Sequence, residues 1–557
     1  MSTVEETATP LRWWRRLETG DVVAIGILVV AFLVPLRGLL RIQGPPMEEG
    51  FMLVFPERVL HGAIPNKDFL HLYGPGSLWV LAGVFKAFGT SLTVERLFGL
   101  LQQMAIVFGV FFLARRWGRT VALGCALLSL LFIVPTGLTA LAWVGAVGLG
   151  LLALVAGAAS RDATDSRRAQ RLALLTGVLV GFALLYRIDL ILAAGLSVLA
   201  LGWGARRALQ QRFGIGLGLG LLPYVIHLAT AGPDNVFRGM ITDPLFKLRG
   251  GRSLPIPPSW NRLDGTLERF GNLVSLHWPV PTVQAPAQLT IWFFVLLGSV
   301  AVLATVGILA VRRDPTGLRP RVLLAVAGFS VGILPQTLQR ADSAHLAWVS
   351  CVALAFVPVA ALEVLHVHRP HWPTRTVALT TTVIVFALIA VVIPNYTVRL
   401  YTDYSEQTFG NHYLAHGISH RGRSWYTAYA SDAAPTQQLL DTVERIAKPG
   451  ERLFVGPQDL RKTPYSDAFF YYLLPQLTPA TYYIEMDPGV ANARDSGLAN
   501  EVRHSDLLIL SSSWNYWSEP NKSRDVGPDA PNQVVRTQFC LVGTYGPHYK
   551  LYRHCHK

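Results

Sequence analysis

Apolar residues in this chain fall into long runs separated by short polar stretches. A helix needs roughly 20 apolar residues to cross the hydrocarbon core of a bilayer. The first run, 22–40, predicts a retained span. It is longer than a signal-peptide core, and no small-residue cleavage site follows it. Further spans are expected at 97–114, 121–135, 138–158, 172–186, 191–203, 215–231, 289–311, 322–334, 346–362 and 377–393, about eleven in all. The segment 74–89 is apolar too, but it opens on Gly-Pro-Gly and carries Lys86. It is expected to lie along the membrane surface or to re-enter it. Within the span 215–231 and just before it, glycine alternates with Ile or Leu from Gly214 to Gly220, a pattern that suits close helix packing.

Hydropathy falls after Ile393, and residues 395–557 have the size of an ordinary soluble domain. The expected organisation is a membrane module, 1–394, followed by an α/β domain, 395–557. Helices are predicted at 435–447 and 490–504. Apolar runs at 452–455, 481–484 and 507–510 predict strands, and 538–542 with 549–553 predict a hairpin around Gly-Thr-Tyr-Gly-Pro. Cys540 and Cys555 bracket that hairpin and are expected to form a disulfide if the domain faces an oxidising compartment.

Charge settles the sidedness. Arginines cluster at 12–16, 115–119, 161–171, 206–212, 312–321 and 369–375. Under the eleven-span reading every cluster falls on one side, which the positive-inside rule makes cytoplasmic. The N-terminus is then inside the plasma membrane and the domain 395–557 outside it. The same distribution explains the formal net charge of +14 without nucleic acid. Hydrophobic residues are 51% of the chain and charged residues 15%, which excludes a disordered protein. The four cysteines are too few for a disulfide scaffold, and Cys125 and Cys351 lie inside predicted spans.

The polar chemistry collects on the outer side. The first outer loop carries Glu48-Glu49, then a stretch dense in polar and aromatic groups that includes Lys67, Asp68, His71 and Tyr73. At the end of one span stand Arg187 and Asp189. On a continuous helix they would lie about 200° apart and would not pair. A short outer loop holds Gln336, Gln339, Arg340, Asp342 and His345. Two readings of Arg340 and Asp342 are open: an ion pair that ties two helix ends, or a site for an anionic headgroup, which the arginine fork suits. The inner loops hold no Walker loop and no Gly-rich nucleotide fingerprint. No Cys/His spacing of the zinc type occurs, and His366, His368 and His371 sit among Arg and Pro on the inner side. No repeat of broken helices points to a transporter.

The acidic pair Glu48-Glu49, followed by Gly62-Ala-Ile-Pro65-Asn-Lys-Asp68-Phe69 and Tyr73-Gly-Pro-Gly76, resembles the GT-C superfamily of integral-membrane glycosyltransferases. Arg-x-Asp at Arg187 and Asp189, and Arg-x-Asp-x-x-His from Arg340 to His345, are similar to that superfamily as well. The acidic pair departs from the commoner Asp-Asp, Asp-Glu or Glu-Asp. The resemblance covers residues 20–395 and implies a polyprenyl-phosphate sugar donor, with a cell-envelope glycan or glycolipid as acceptor. The arginine-rich, lysine-poor usage looks like an actinobacterium, whose similar enzymes transfer mannose or arabinofuranose. The resemblance implies Glu48, with Glu49 second, as general base. Arg340, Arg187 and His345 are then expected at the donor phosphate, with Asp342, Asp189, Asp68, His71, Tyr73 and Lys67 in support. No cofactor is required, although an acidic pair can hold a divalent cation. The competing readings are a non-catalytic scaffold that binds glycan and a transporter of lipid-linked sugar.

Overall fold

The computed structural model describes residues 18–257, 280–368, 373–410, 415–515 and 517–555. The arginines at 12–16, residues 258–279 of the long outer stretch, Arg369 and His371 lie outside them. Among the described residues, ten helices are long and apolar enough to cross a membrane, from Thr19–Arg41 to Arg375–Val392. The span expected at 191–203 is shorter. It is a 3₁₀ turn of 3 residues, Ile188–Leu190, that runs into a helix of 12 residues, Ile191–Gly202. Its two ends show where it goes. Asp189 accepts a hydrogen bond from Gln336 at 2.5 Å, while the carbonyl of Leu201 accepts one from Arg161 at 3.0 Å. The segment therefore runs from the end of the bundle expected to be outer, which holds the Arg187 cluster, to the arginine-rich end expected to be inner, and with it eleven segments among the described residues run between the two ends.

The inner end is laced by arginine. Arg115 and Arg119 bind Asp21, Arg116 binds Asp162, and Arg321 reaches the carbonyl of Trp203. All of these residues belong to stretches that the charge pattern puts on one side. The alternating glycines pack as expected. A Cβ on Gly216 would fall 2.1 Å from the carbonyl oxygen of Leu174, and one on Gly220 would fall 2.6 Å from that of Val178. Gly214 and Gly218 face nothing within 4 Å.

At the outer end two shorter helices, Glu48–Leu60 and Gly76–Phe88, lie between the spans and the C-terminal part. The second is the short apolar helix within the segment 74–89, too short to count among the ten spans. The helix Glu48–Leu60 is buried along most of its length, and the C-terminal part buries it. Met47, Phe51 and Phe55 share a core with Trp425, Leu453, Phe469, Phe470, Leu507 and Leu551. Gly50 permits the approach, since a Cβ there would fall 2.5 Å from the backbone nitrogen of Phe469.

In the C-terminal part, β1 (His416–His420) and β2 (Arg423–Thr427) form an antiparallel pair of their own. The strands β3 (Arg452–Pro457), β4 (Thr478–Pro479), β5 (Leu507–Ser511), β6 (Phe539–Tyr545) and β7 (Tyr549–His554) form a sheet in the order β4-β3-β5-β7-β6. The first three run parallel, and the β6–β7 hairpin adds on antiparallel. Cys540 and Cys555 are joined, with Cα atoms 5.2 Å apart. A helix, Ala430–Ile446, covers the expected 435–447. Two expectations are corrected. The strand expected at 481–484 is irregular chain: the edge place beside β3 is taken by Thr478–Pro479, the pairing closes with the Ala480 N–H on the Leu453 carbonyl at 2.8 Å, and Tyr482 then spends its backbone groups on the Glu501 carboxylate and the Leu70 N–H. The helix expected at 490–504 is only Leu498–Arg503, since Gly489 and Gly497 both sit at positive φ and break the segment into turns.

Candidate active site

Glu48 and Glu49 open the first turn of the helix Glu48–Leu60, where the free N–H groups and the helix dipole favour carboxylates. Neighbours on a helix point about 100° apart, and the two take different partners. Glu49 is 1% exposed and binds Arg96 through two parallel bonds of 2.7 Å. Arg96 also donates to the carbonyl of Leu39 at 3.1 Å. This pair joins the first span, the second span and the outer helix. Glu48 turns the other way and accepts a hydrogen bond from the Tyr465 hydroxyl of the C-terminal part. Burial raises the Glu48 carboxyl above the usual Glu range, against the pull of Tyr465, Arg252 and Arg340.

Around Glu48 the structure gathers groups from four stretches of chain. Arg252 comes from the long outer stretch, which crosses the outer face through Pro233–Phe237, Arg238–Leu248 and Arg249–Arg252. Its Nη2 donates to Asp487 at 3.2 Å, and its carbonyl accepts from Arg340 at 2.8 Å. Glu485 and Asp487 flank Met486, whose φ of 53° is a backbone state that L side chains rarely adopt. Both carboxyls are buried and pushed up by burial, and in the Glu485 carboxyl the charge of Asp487 adds to the rise. Tyr465 packs against the tilted Trp514 ring at 4.3 Å and stacks with Trp517 at 5.6 Å.

Arg340 caps the helix Leu318–Gln339 in an extended backbone state. Its Nε donates to Asp342 at 2.5 Å, and its fork closes on Glu519 with bonds of 2.8 and 2.5 Å. Asp342 in turn N-caps the next helix and accepts from the backbone N–H of His345 at 2.9 Å. The His345 ring lies 2.7 Å from the same carboxylate and 4.6 Å from the Trp348 ring. The local ion pair is therefore present, and Glu519 is a third member that the sequence reading lacked.

Arg187 and Asp189 pair directly, through bonds of 2.9 and 2.6 Å, contrary to the helical-geometry expectation. The span ends at Tyr186, and Arg187 is extended at φ −144°, ψ 102°, so the 100° rule does not apply. The Arg187 guanidinium lies over the Tyr73 ring at 4.1 Å, a cation–π geometry. Gln336 and Arg340, one turn apart on one helix end, link this group to the Arg340 group.

The other residues singled out in the first outer loop shape it and stand apart from this cluster. Asp68 accepts from the Ile64 N–H at 2.7 Å and is exposed, as is Lys67. His71 is buried edge-on against Phe55 and Tyr73. Burial pushes its ring down to about 3, so it carries no charge near neutrality. Tyr465, Glu485, Asp487, Glu519 and Arg252 escaped the sequence reading. The one legible hint was Glu485-Met-Asp487, two acids around an apolar residue before a Pro-Gly turn. Among the described residues, no group of three or more His, Cys, Asp or Glu has the geometry of a metal site.

A bundle of this kind, with short helices under an α/β part and charged span ends gathered between them, has the GT-C membrane fold. ArnT from Cupriavidus metallidurans bound to undecaprenyl phosphate superposes on the chain with a TM-score of 0.53 at 14% identity, over 96% of this chain and 98% of that one. The apo state of the same protein gives 0.50 at 15% identity over the same shares. No family model and no curated protein matches the sequence.

Proposed function

We propose that this chain is an inverting glycosyltransferase that takes a sugar from a polyprenyl-phosphate donor at the outer face of the plasma membrane. The observation that carries this reading is Glu48, a carboxylate at the outer ends of the spans in the field of Arg252 and Arg340. The acceptor hydroxyl gives its proton to Glu48 as it attacks the anomeric carbon, and the bond to the phosphate oxygen breaks. Charge grows on the departing phosphate and is met by arginine donors. Among the described residues, the Arg252 guanidinium donates to the Asp487 carboxylate at 3.2 Å and meets the Met47 sulfur at 4.0 Å. It joins Arg340 and Arg187 as a donor-phosphate residue, and His345 orients Asp342. One displacement by one base inverts the centre and needs no nucleophilic carboxylate pair. Glu49 is assigned to the fold, and the divalent cation is left out of the mechanism.

Support for the lipid donor comes from the fold of ArnT, which is bound to undecaprenyl phosphate in one structure. For the sugar we favour mannose, then arabinofuranose, and for the acceptor a cell-envelope glycan or glycolipid, on the sequence resemblance alone. The test is to incubate purified protein with polyprenyl-phosphate mannose or arabinofuranose and an envelope extract. Release of polyprenyl phosphate with sugar in the extract supports the reading. Loss of the gene with unchanged envelope glycan linkages removes it.

Two further outcomes are expected. Because catalysis needs ionised Glu48 and burial raises its carboxyl, the acid limb of the pH–rate profile should lie above the ordinary Glu range. Tyr465→Phe removes a hydrogen bond that favours the carboxylate, so that limb should move to still higher pH. A limb at the ordinary value, unmoved by Tyr465→Phe, would assign the base elsewhere. For topology, a cysteine introduced at Ser431 should react with an impermeant thiol reagent on spheroplasts, and one at Arg168 should not. The opposite labelling would invert the orientation.

A further inference from the structure

The fork of Arg340 is closed on a carboxylate in the way arginine closes on a phosphate. Two parallel bonds, 2.8 and 2.5 Å, run from Nη1 and Nη2 to the two oxygens of Glu519. Planar, bidentate pairing is the geometry by which arginine recognises both anions. Glu519 is 1% exposed. Burial alone would raise its carboxyl, and the charge and hydrogen bonds of Arg340 outweigh that, so it is held ionised.

Glu519 sits on a strap of irregular chain that lies across the outer stretch. Asn521 Nδ2 donates both to Glu519 Oε2 and to the carbonyl of Ser253, each at 2.9 Å. A short 3₁₀ turn, Lys522–Arg524, follows. The Lys522 stem lies against Gly250, whose Cβ position is 3.1 Å from it. Lys522 and Arg524 are exposed. The strap is thus fastened to Arg340 through Glu519 and to residues 250–253 through Asn521 and Lys522, between the Trp517 ring, which packs on Tyr465 and Trp514, and the Gly527 N–H, which donates to the Arg461 carbonyl at 2.8 Å. Among the described residues, 517–521 belong to no sheet or helix ladder.

We infer that Glu519 is an internal stand-in for the phosphate of the lipid donor: it fills the anion seat of Arg340 in the unloaded protein, and the donor phosphate takes the seat by displacing it and lifting the strap. This rests on the proposed use of a polyprenyl-phosphate donor. The exchange swaps one bidentate anion for another, so it is nearly balanced and reversible. A neutral polyprenol has no group for the fork and leaves the strap in place. The device couples donor loading to the C-terminal part, because the strap that moves belongs to the same part that supplies Tyr465 to Glu48.

The experiment uses the full-length protein in detergent, with undecaprenyl phosphate, undecaprenol and inorganic phosphate as separate probes. Glu519→Gln keeps the size of the side chain and removes its charge. It should bind undecaprenyl phosphate about ten- to a hundredfold more tightly than the wild type, the scale of one charge-assisted contact no longer in competition. In the wild type, undecaprenyl phosphate should speed tryptic cleavage after Lys522 or Arg524, and undecaprenol should not. That second measurement needs no variant and stands if Glu519→Gln folds poorly. Wild-type binding of the lipid with unchanged cleavage, or a folded Glu519→Gln with equal or weaker affinity, overturns the stand-in while the donor reading survives. Equal acceleration by inorganic phosphate alone overturns the link to a lipid headgroup. No binding of undecaprenyl phosphate by either protein overturns both the stand-in and the donor reading.

Discussion

Glu48→Gln should lower sugar transfer by about a hundred- to ten-thousandfold, the range that a positioned general base contributes. The amide keeps the shape of the side chain and can still accept from the Tyr465 hydroxyl, but it cannot take the acceptor's proton. The side chain lies at the junction of the spans and the C-terminal part and is not packed into the shared core. Expression, thermal unfolding and binding of the lipid phosphate should therefore stay near wild type. Transfer is measured with purified protein and labelled donor. Full activity of a folded Glu48→Gln protein would remove Glu48 from the chemistry and leave the non-catalytic readings standing.

The second large effect falls on the fold. Arg96→Ala leaves the Glu49 carboxylate buried with neither of its two 2.7 Å bonds. Breaking a buried ion pair from one side costs about 3–5 kcal/mol, a large part of what holds a domain together. The variant should melt far earlier in detergent or fail to accumulate. Replacing both partners, Glu49→Leu with Arg96→Leu, removes the stranded charge and should recover much of that loss. The double variant also separates the two acids: it should keep transfer activity if Glu49 serves only the fold. A folded double variant without activity would return Glu49 to the catalytic role it shared in the sequence reading.

The spans were legible because run length and one-sided arginine are direct consequences of the bilayer. Even the short segment Ile188–Gly202 was found, as an apolar run that ends on an arginine cluster. What failed were inferences that assumed a regular element where the chain breaks off. Arg187 and Asp189 were placed on a helix that stops at Tyr186, and 481–484 was taken for a strand where Tyr482 bonds to Glu501 and Leu70 instead of to the sheet. The hairpin His416–His420 with Arg423–Thr427 escaped notice because its strands are polar. Its turn puts Arg421 as well as Gly422 at positive φ, where Asn-Gly or Asp-Gly would have been the readable signal. In the site, Glu48 and Arg340 stood out as charges at membrane ends. Tyr465 and Glu519 could not, because each meets its partner from 417 and 179 residues away, and no local pattern encodes such a meeting.

The helix Glu48–Leu60 lies between the spans and a core supplied by Leu453, Phe469, Leu507 and Leu551, and this imposes an order in time. The ribosome makes that helix early and its cover last. At about 5–20 residues per second, the roughly 400 residues between Leu60 and Leu453 take on the order of 20–80 s. Through that interval Phe51 and Phe55 have each other and near neighbours such as Phe69 and His71, but the face around Gly50 lacks Phe469 and Glu48 has no Tyr465. A nascent chain therefore holds the first half of its candidate site uncovered, and a ribosome stalled anywhere before the β3 strand leaves a bundle that can neither bury this helix nor complete the contact between Glu48 and Tyr465.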